Sequence, residues 1–326
     1  MKSCDIIGDI HGHADELNSL LEILGYQSAA STWRHPEGRK VVFLGDFIDR
    51  GPKIPEVLAT VRGMVEAGDA LAILGNHEVN AMRYHTTGPD GEFLRPHSDK
   101  NFRQHRETLD QFPDRREWDN WIRWFSSLPL SLDLGGLRAV HACWDEQAIR
   151  EMNEVGRLEG AALERYSKKG TSEHDTISRI VNGPEALLPE GAAHRTADET
   201  MRREIRVKWW IDLEGTTCRE AIFPECSDVP DRPLARVPKT GYPEDAPPTF
   251  FGHYALQSRT PAPIRSNLAC LDYGAGKGGF LCAYSWDGEA QIDPAKYRFV
   301  QMRTQSVLKL PLASIKNDAH HNHQRP

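Results

Sequence analysis

Short apolar runs recur through the first 145 residues, each ending beside polar side chains: Cys4 to Gly8 before Asp9, Val41 to Gly45 before Asp46, Leu71 to Gly75 before Asn76, and Leu137 to Val140 before His141. Brief apolar runs bounded by turn signals predict buried strands, so each strand delivers its polar cargo at its carboxyl end. Helical spacing fills the intervals. Leu17, Leu20, Leu21 and Leu24 repeat at i, i+3, i+4, i+7 with Gly25 placed to end a helix, and a second helix opens at Pro55, runs through Leu58, Val61 and Val65, and ends at Gly68. Trp118, Trp121, Ile122 and Phe125 share this spacing and read as a core-facing stripe. The strand, helix, strand order predicts a layered α/β domain, in whose sheets ligands gather beyond the carboxyl ends of the strands.

From Asp145 to about Pro248 the pattern changes. Helices are expected over 145–170, 173–182 and 196–206, followed by a half rich in proline (Pro224, Pro230, Pro233, Pro238, Pro243, Pro247, Pro248). This stretch reads as an insertion or cap with no strand–ligand unit of its own. Strands resume over 249–252, 267–273, 280–286 and 297–302, with Trp286-Asp287-Gly288 signalling a hairpin. Gly274 to Gly279 imitates a phosphate loop, but a strand pattern follows it rather than a helix, so a hairpin turn is expected. In Arg202 to Trp210, basic and aromatic residues interleave; a helix end with core tryptophans is the expectation, as packing is for Trp144, and His13 is expected to face solvent. His320, His321 and His323 fall in a polar tail.

Composition narrows the class. Lys and Arg total 40 against 47 Asp and Glu in 326 residues, a net charge of −7, which argues against a surface built to neutralise nucleic-acid phosphates. No stretch approaches an uncharged membrane span, and Asp5 and Asp9 interrupt the start where a signal peptide needs an apolar core. A cytoplasmic protein is expected. Its six cysteines are scattered without a C-x-x-C pair, so any metal must be held by oxygen and imidazole.

The polar cargo forms one set: Asp9 and His11 in G-D-I-H-G, Asp46 with Asp49 and Arg50 in G-D-F-I-D-R-G, Asn76 with His77 in G-N-H-E, His141 in V-H-A, and His253 in F-G-H-Y. Each motif alone is weak; five in one order, each after a strand, are not. Mixed carboxylate, amide and imidazole groups suit Mn²⁺, Fe or Zn²⁺, whereas thiolates would point to structural zinc and oxygens alone to Mg²⁺ or Ca²⁺. Six candidate ligands exceed one tetrahedral site, and a shared carboxylate can hold two cations about 3.5–4 Å apart. Asp9, His11 and Asp46 would make one site, and Asp46, Asn76, His141 and His253 the other, with Asp46 as the bridge.

These five blocks resemble those of the calcineurin-like metallophosphoesterases, and G-D-F-I-D-R-G with G-N-H-E is similar to the phosphoprotein phosphatases and to the symmetrical bis(5′-nucleosyl)-tetraphosphatases. The resemblance implies a four-layer α/β/β/α sandwich of two mixed sheets formed by 1–145 and 249–310, with a helical and Pro-rich insertion at 146–248 and a tail at 311–326. It also implies two divalent metals, Mn²⁺ foremost with Fe or Zn²⁺ as alternatives, that acidify a bridging water for attack on phosphorus. His77, kept protonated by Asp49, would be the general acid, and Arg50 and Asn76 would bind phosphate. Two departures, Ala142 after His141 and Tyr254 after His253, touch the rim of the site. Glu78 is shared with the protein phosphatases. A phosphomonoesterase acting on phosphoserine or phosphothreonine is the expected function. The alternatives are a symmetrical dinucleoside tetraphosphate hydrolase giving two ADP, a nucleic-acid phosphodiesterase, and an inactive scaffold. A further phosphate-binding arginine is expected in the insertion, with Arg203 and Arg206 as candidates.

Overall fold

The structure is a computed structural model that describes residues 3–29, 32–195 and 201–303; the tail histidines lie outside them. The strands that build the site are, in chain order, β1 (Cys4–Ile7), β2 (Lys40–Phe43), β3 (Ala70–Ala72), β4 (Ser131–Asp133), β5 (Arg138–Val140), β6 (Glu185–Leu187), β7 (Glu204–Arg206), β8 (Thr249–Phe251), β9 (Leu268–Cys270), β10 (Asp272–Tyr273), β11 (Phe280–Trp286) and β12 (Tyr297–Gln301). The helices that flank them are α1 (Ala14–Ile23), α2 (Ile54–Glu66), α3 (Asn76–His85), α4 (Asp99–Gln111), α5 (Arg115–Phe125), α6 (Glu146–Val155), α7 (Gly160–Ser167) and α8 (Ser172–Asn182).

In the first sheet β1 and β2 pair in parallel, as do β2 and β3, while β11 lies antiparallel to β1 on its other side. β12 covers the far edge of β11, and β10 continues the β1 side of β11 at Phe280 and Leu281. The second sheet runs β9–β8–β5–β4, parallel except for its β4–β5 pair. Both sheets are therefore mixed. Strand alternation sends Cys4, Ile6, Val42, Ala139, Phe250, Ala269, Cys282 and Tyr284 between the sheets, forming one apolar layer. Ile7, Val41 and Phe43 face outward under α1 and α2, while Val140, Phe251 and Cys270 join the apolar faces of α6, α7 and α8. The result is an α/β/β/α sandwich. The α5 stripe does turn to the core, with Trp118 and Phe125 buried and Trp121 and Ile122 packed against it.

The helix-rich stretch expected over 145–170 holds α6 and α7, divided at Gly156, whose φ of 76° stops α6. Three local expectations need correction. The helix expected over 196–206 is strand in its described part: β7 pairs antiparallel with β6, and Ile205, Val207 and Trp209 are buried while Arg206 and Lys208 are half-buried. That is a period of two, which the basic residues disguise as a helix surface. Strands β11 and β12 pair as a hairpin, but residues 287–296 separate them instead of a tight turn. His13 is half-buried beside Glu16 rather than turned to solvent. Two other expectations match the structure. Gly274 to Gly279 is a turn between antiparallel β10 and β11, and Trp144 is packed, with the Arg138 guanidinium 4.6 Å above its ring. No helix among the described residues is long and apolar enough to cross a membrane.

Candidate dimetal site

The candidate metal ligands and His77 lie past strand carboxyl ends: Asp9 and His11 after β1, Asp46 after β2, Asn76 and His77 at the start of α3 after β3, His141 after β5 and His253 after β8. The backbone bends sharply to bring them in. Among the described residues, the non-glycine positions with positive φ are His11 (48°), Asp46 (53°), Asp49 (67°), Arg50 (69°) and His253 (63°), all of them site residues. Left-handed backbone at residues with a Cβ costs energy and persists where the surroundings over-determine it, commonly at functional sites. Two glycines let carboxylates approach: a Cβ on Gly75 would meet Asp46 Oδ1 at 2.2 Å, and one on Gly252 would meet Asp9 Oδ1 at 2.0 Å.

The imidazoles are oriented by backbone carbonyls. His141 Nδ1 donates to Leu44 O at 2.7 Å, and His11 Nδ1 donates to Ile48 O at 2.9 Å, the arrangement by which metal-ligating histidines are usually fixed. On the other side of its ring, His141 Nε2 faces Asn76 Oδ1 at 3.1 Å and Asp46 Oδ1 at 3.3 Å. Asn76 Oδ1 also meets His253 Nδ1 at 2.9 Å, and His253 Nε2 is buried without a partner. Donor atoms of Asp46, His141 and His253 lie within 4.8 Å of one another, and so do those of His11, Asp46 and His77. On the His11 side the compact group thus holds His77 where the sequence suggested Asp9. Asp9 lines the same cavity, accepting the His253 backbone N–H at 3.1 Å.

Charge tells the same story. Burial, together with the nearby Asp272 and Asp46 carboxylates, pushes Asp9 well above the usual carboxylate range, and burial with the Asp46 charge pushes Glu78 up to about 7. Burial and the charge of Arg50 hold His11 well below an ordinary imidazole, and burial and Arg206 do the same to His253, so both keep lone pairs. Crowded carboxylates, neutral imidazoles and an amide oxygen converging in one buried cluster fit divalent cations.

Outside this cluster, Asp49 Oδ2 accepts from His77 Nδ1 at 2.5 Å. Burial alone would raise the Asp49 carboxyl, but the bonds from His105 and His77 outweigh it and hold Asp49 well below the usual range; His77 in turn is raised despite its burial, by Asp46 and Asp49. Arg50 donates to His11 Nε2 at 2.6 Å and to His77 Nε2 at 3.2 Å.

Sequence reasoning missed several contributors. Glu78 is a buried clamp whose carboxylate accepts the N–H groups of Gly75, Asp46 and Phe47 at 2.8–2.9 Å; its place three residues past the helix-capping Gly75 was the available signal. His105 Nδ1 and Thr108 Oγ1 donate to Asp49 Oδ1 from α4, at 2.8 and 2.5 Å. The cavity, about 300 Å³, is also lined by Arg95, Arg103, Asp272 and Lys277. Of the two arginines considered, Arg206 lines this cavity, so the segment expected as an insertion reaches the site.

Residues 4–208 match the model of the calcineurin-like phosphoesterases. The chain belongs to that family. Among curated relatives of this calcineurin-like phosphoesterase are the asymmetrical bis(5′-nucleosyl)-tetraphosphatases of Halalkalibacterium halodurans (45% identical over 80 residues, 24% of this chain and 32% of that one) and Bacillus subtilis (46% over 80 residues, 24% and 33%). The chain thus matches only about a third of the length of these relatives. A symmetrical bis(5′-nucleosyl)-tetraphosphatase of Methylococcus capsulatus is 26% identical over 301 residues, 86% of this chain and 91% of that one. Among solved structures, the cold-active protein-tyrosine phosphatase of a psychrophilic Shewanella shares the fold, at TM-score 0.50 and 14% identity, over 93% of this chain and 81% of that one.

Proposed function

We propose that this phosphoesterase hydrolyses a polyphosphorylated substrate, in the first place a dinucleoside tetraphosphate cut symmetrically to two ADP, using two divalent transition-metal ions. The observation that carries the substrate reading is charge. Arg50, Arg95, Arg103, Arg206 and Lys277 line one cavity of about 300 Å³, more cationic groups than a single phosphomonoester would engage. The long match with the symmetrical tetraphosphatase supports the same reading.

Asp9, His11 and Asp46 would hold one ion, and Asp46, Asn76, His141 and His253 the other, Mn²⁺ foremost with Fe or Zn²⁺ as alternatives. Such a pair, when bound, supplies an acidified water near neutral pH and positive charge against the phosphate oxygens. The chain's own groups do the rest. Asp49 orients His77 and favours its protonated form, so His77 Nε2 is the group to protonate a departing oxygen. Arg50 is exposed, and its planar fork can exchange the two imidazoles for two phosphate oxygens, which frees His77 Nε2. Were the Asn76 carbonyl to serve as a cation ligand, its amide N–H would remain for phosphate. The thiols of all six cysteines are free and five are buried, in keeping with a cytoplasmic protein, and the acidic balance disfavours nucleic acid as substrate.

A second reading, hydrolysis of phosphoserine or phosphothreonine in a protein, is favoured by the Asp49–His77 pair itself, because an alkoxide needs a proton more than ADP does. Incubation with Mn²⁺ separates the two. ADP as sole product from diadenosine tetraphosphate, formed faster than phosphate is released from a phosphoserine peptide, supports the first reading; the reverse order of rates overturns it.

A further inference from the structure

The cavity at the site has a neighbour. A second depression, of about 520 Å³, shares Arg206, His253, Ala255 and Lys277 with it and continues past Phe223 and Leu256 to Arg259. Two of its cations, Arg206 and Lys277, stand at the boundary between the two spaces, while the apolar Phe223, Pro224 and Leu256 belong to the second alone, with Arg259 at its far end.

This arrangement is built into the backbone. Arg206 ends β7, the Phe223 N–H donates to its carbonyl at 2.9 Å, and Val207 and Ile222 form a bridge beside them. Cation and ring are therefore ladder neighbours. The Arg206 guanidinium lies 5.3 Å from the Tyr254 ring centre, and Phe223 packs on Tyr254 at 5.0 Å and on Trp210 at 6.0 Å. Those contacts fix the Phe223 ring while it stays half-exposed to the depression. A phosphate at the boundary cations is thus followed, at a distance set by the fold, by an immobilised aromatic side chain.

The geometry points to this second depression as the seat of the substrate's nucleoside: the phosphate chain passes Arg206 and Lys277, and the flat base lies against Phe223. The assignment rests on the dinucleoside polyphosphate reading above. A phosphoserine or phosphothreonine presents no flat ring at a set distance from its phosphate, whereas a nucleotide does, and stacking on an aromatic side chain accepts any base.

Calorimetric titration of ADP and of inorganic pyrophosphate into the Mn²⁺-loaded full chain tests the subsite without relying on turnover. ADP should bind about ten-fold more tightly than pyrophosphate. Phe223→Leu, which keeps packing volume but lacks the aromatic face, should remove most of that difference while moving pyrophosphate affinity less than about two-fold, and Phe223→Trp should retain it. Equal affinities in the unmodified protein, or equal losses of both ligands in Phe223→Leu, would overturn the assignment. A chain that prefers ADP but releases none from diadenosine tetraphosphate leaves the subsite standing and defeats the hydrolytic reading.

Discussion

Asp49 gathers donors from three directions: His77 on Oδ2, and His105 and Thr108 on Oδ1. A carboxylate so satisfied stays ionised while buried, and its free energy is spent on orienting and charging His77. His77→Asn should then keep both metals and lower turnover by roughly 10²–10⁴, with a smaller loss on an aryl phosphate, whose leaving group scarcely needs a proton. Steady-state rates on paired alkyl and aryl substrates check this; equal losses would remove His77 from the acid role. Asp49 and His77 could be read from the sequence because each sits in a short motif directly after a strand. Their supporters could not. His105 and Thr108 lie 56 and 59 residues further along, on a helix whose pattern is that of any half-exposed surface helix, and only the packing of α4 over the 46–50 loop gives them a role.

At the scale of elements, α4 acts as a brace. Removing its hydroxyl or imidazole should loosen Asp49 without touching substrate: Thr108→Val and His105→Gln should each lower kcat by about ten-fold with KM little changed, and the aryl substrate should again be spared. A parallel rise in KM would instead mean that the whole cavity had shifted. The far side of α4 carries a pH liability. His85, on α3, meets His105 Nε2 at 3.2 Å, and burial with the nearby His105, Arg115 and His97 lowers it to about 3. The unfolded chain takes up this proton near pH 6.5 and the folded one does not, so the stability it contributes is complete above about pH 6.5 and is lost as pH falls toward 3. Urea unfolding of the native chain and of His85→Gln should therefore converge as pH drops from 7.5 to 5; parallel curves would contradict this. Strands and their order of delivery were legible because a buried strand is a short apolar run and its cargo follows at once. β7 was not. Its alternation of Ile205, Val207 and Trp209 is interrupted by arginine and lysine, whose spacing also suits a helix face. Arg206 could therefore be named as a candidate, but only the pairing of β7 with β6 explains how it reaches the cavity.

Taken whole, the site belongs to neither sheet alone. The first supplies Asp9, His11, Asp46 and Asn76, the second His141 and His253, so the candidate ligands assemble only when both sheets pack through their shared apolar layer. The motifs were legible one by one, whereas their division between two sheets, and the joining of residues 204–206, α4 and the Gly274–Gly279 turn into one cationic wall, were not, since such contacts are set by tertiary packing and leave no periodic trace. The central claim is that these strand ends cradle two cations around the Asp46 carboxylate. The most direct test is the metal content of Mn²⁺-reconstituted, gel-filtered protein by elemental analysis, beside that of Asp46→Asn. The account predicts two ions per chain in the unmodified protein and no more than one in the variant. One ion or fewer in the former, or two retained by the latter, would contradict it.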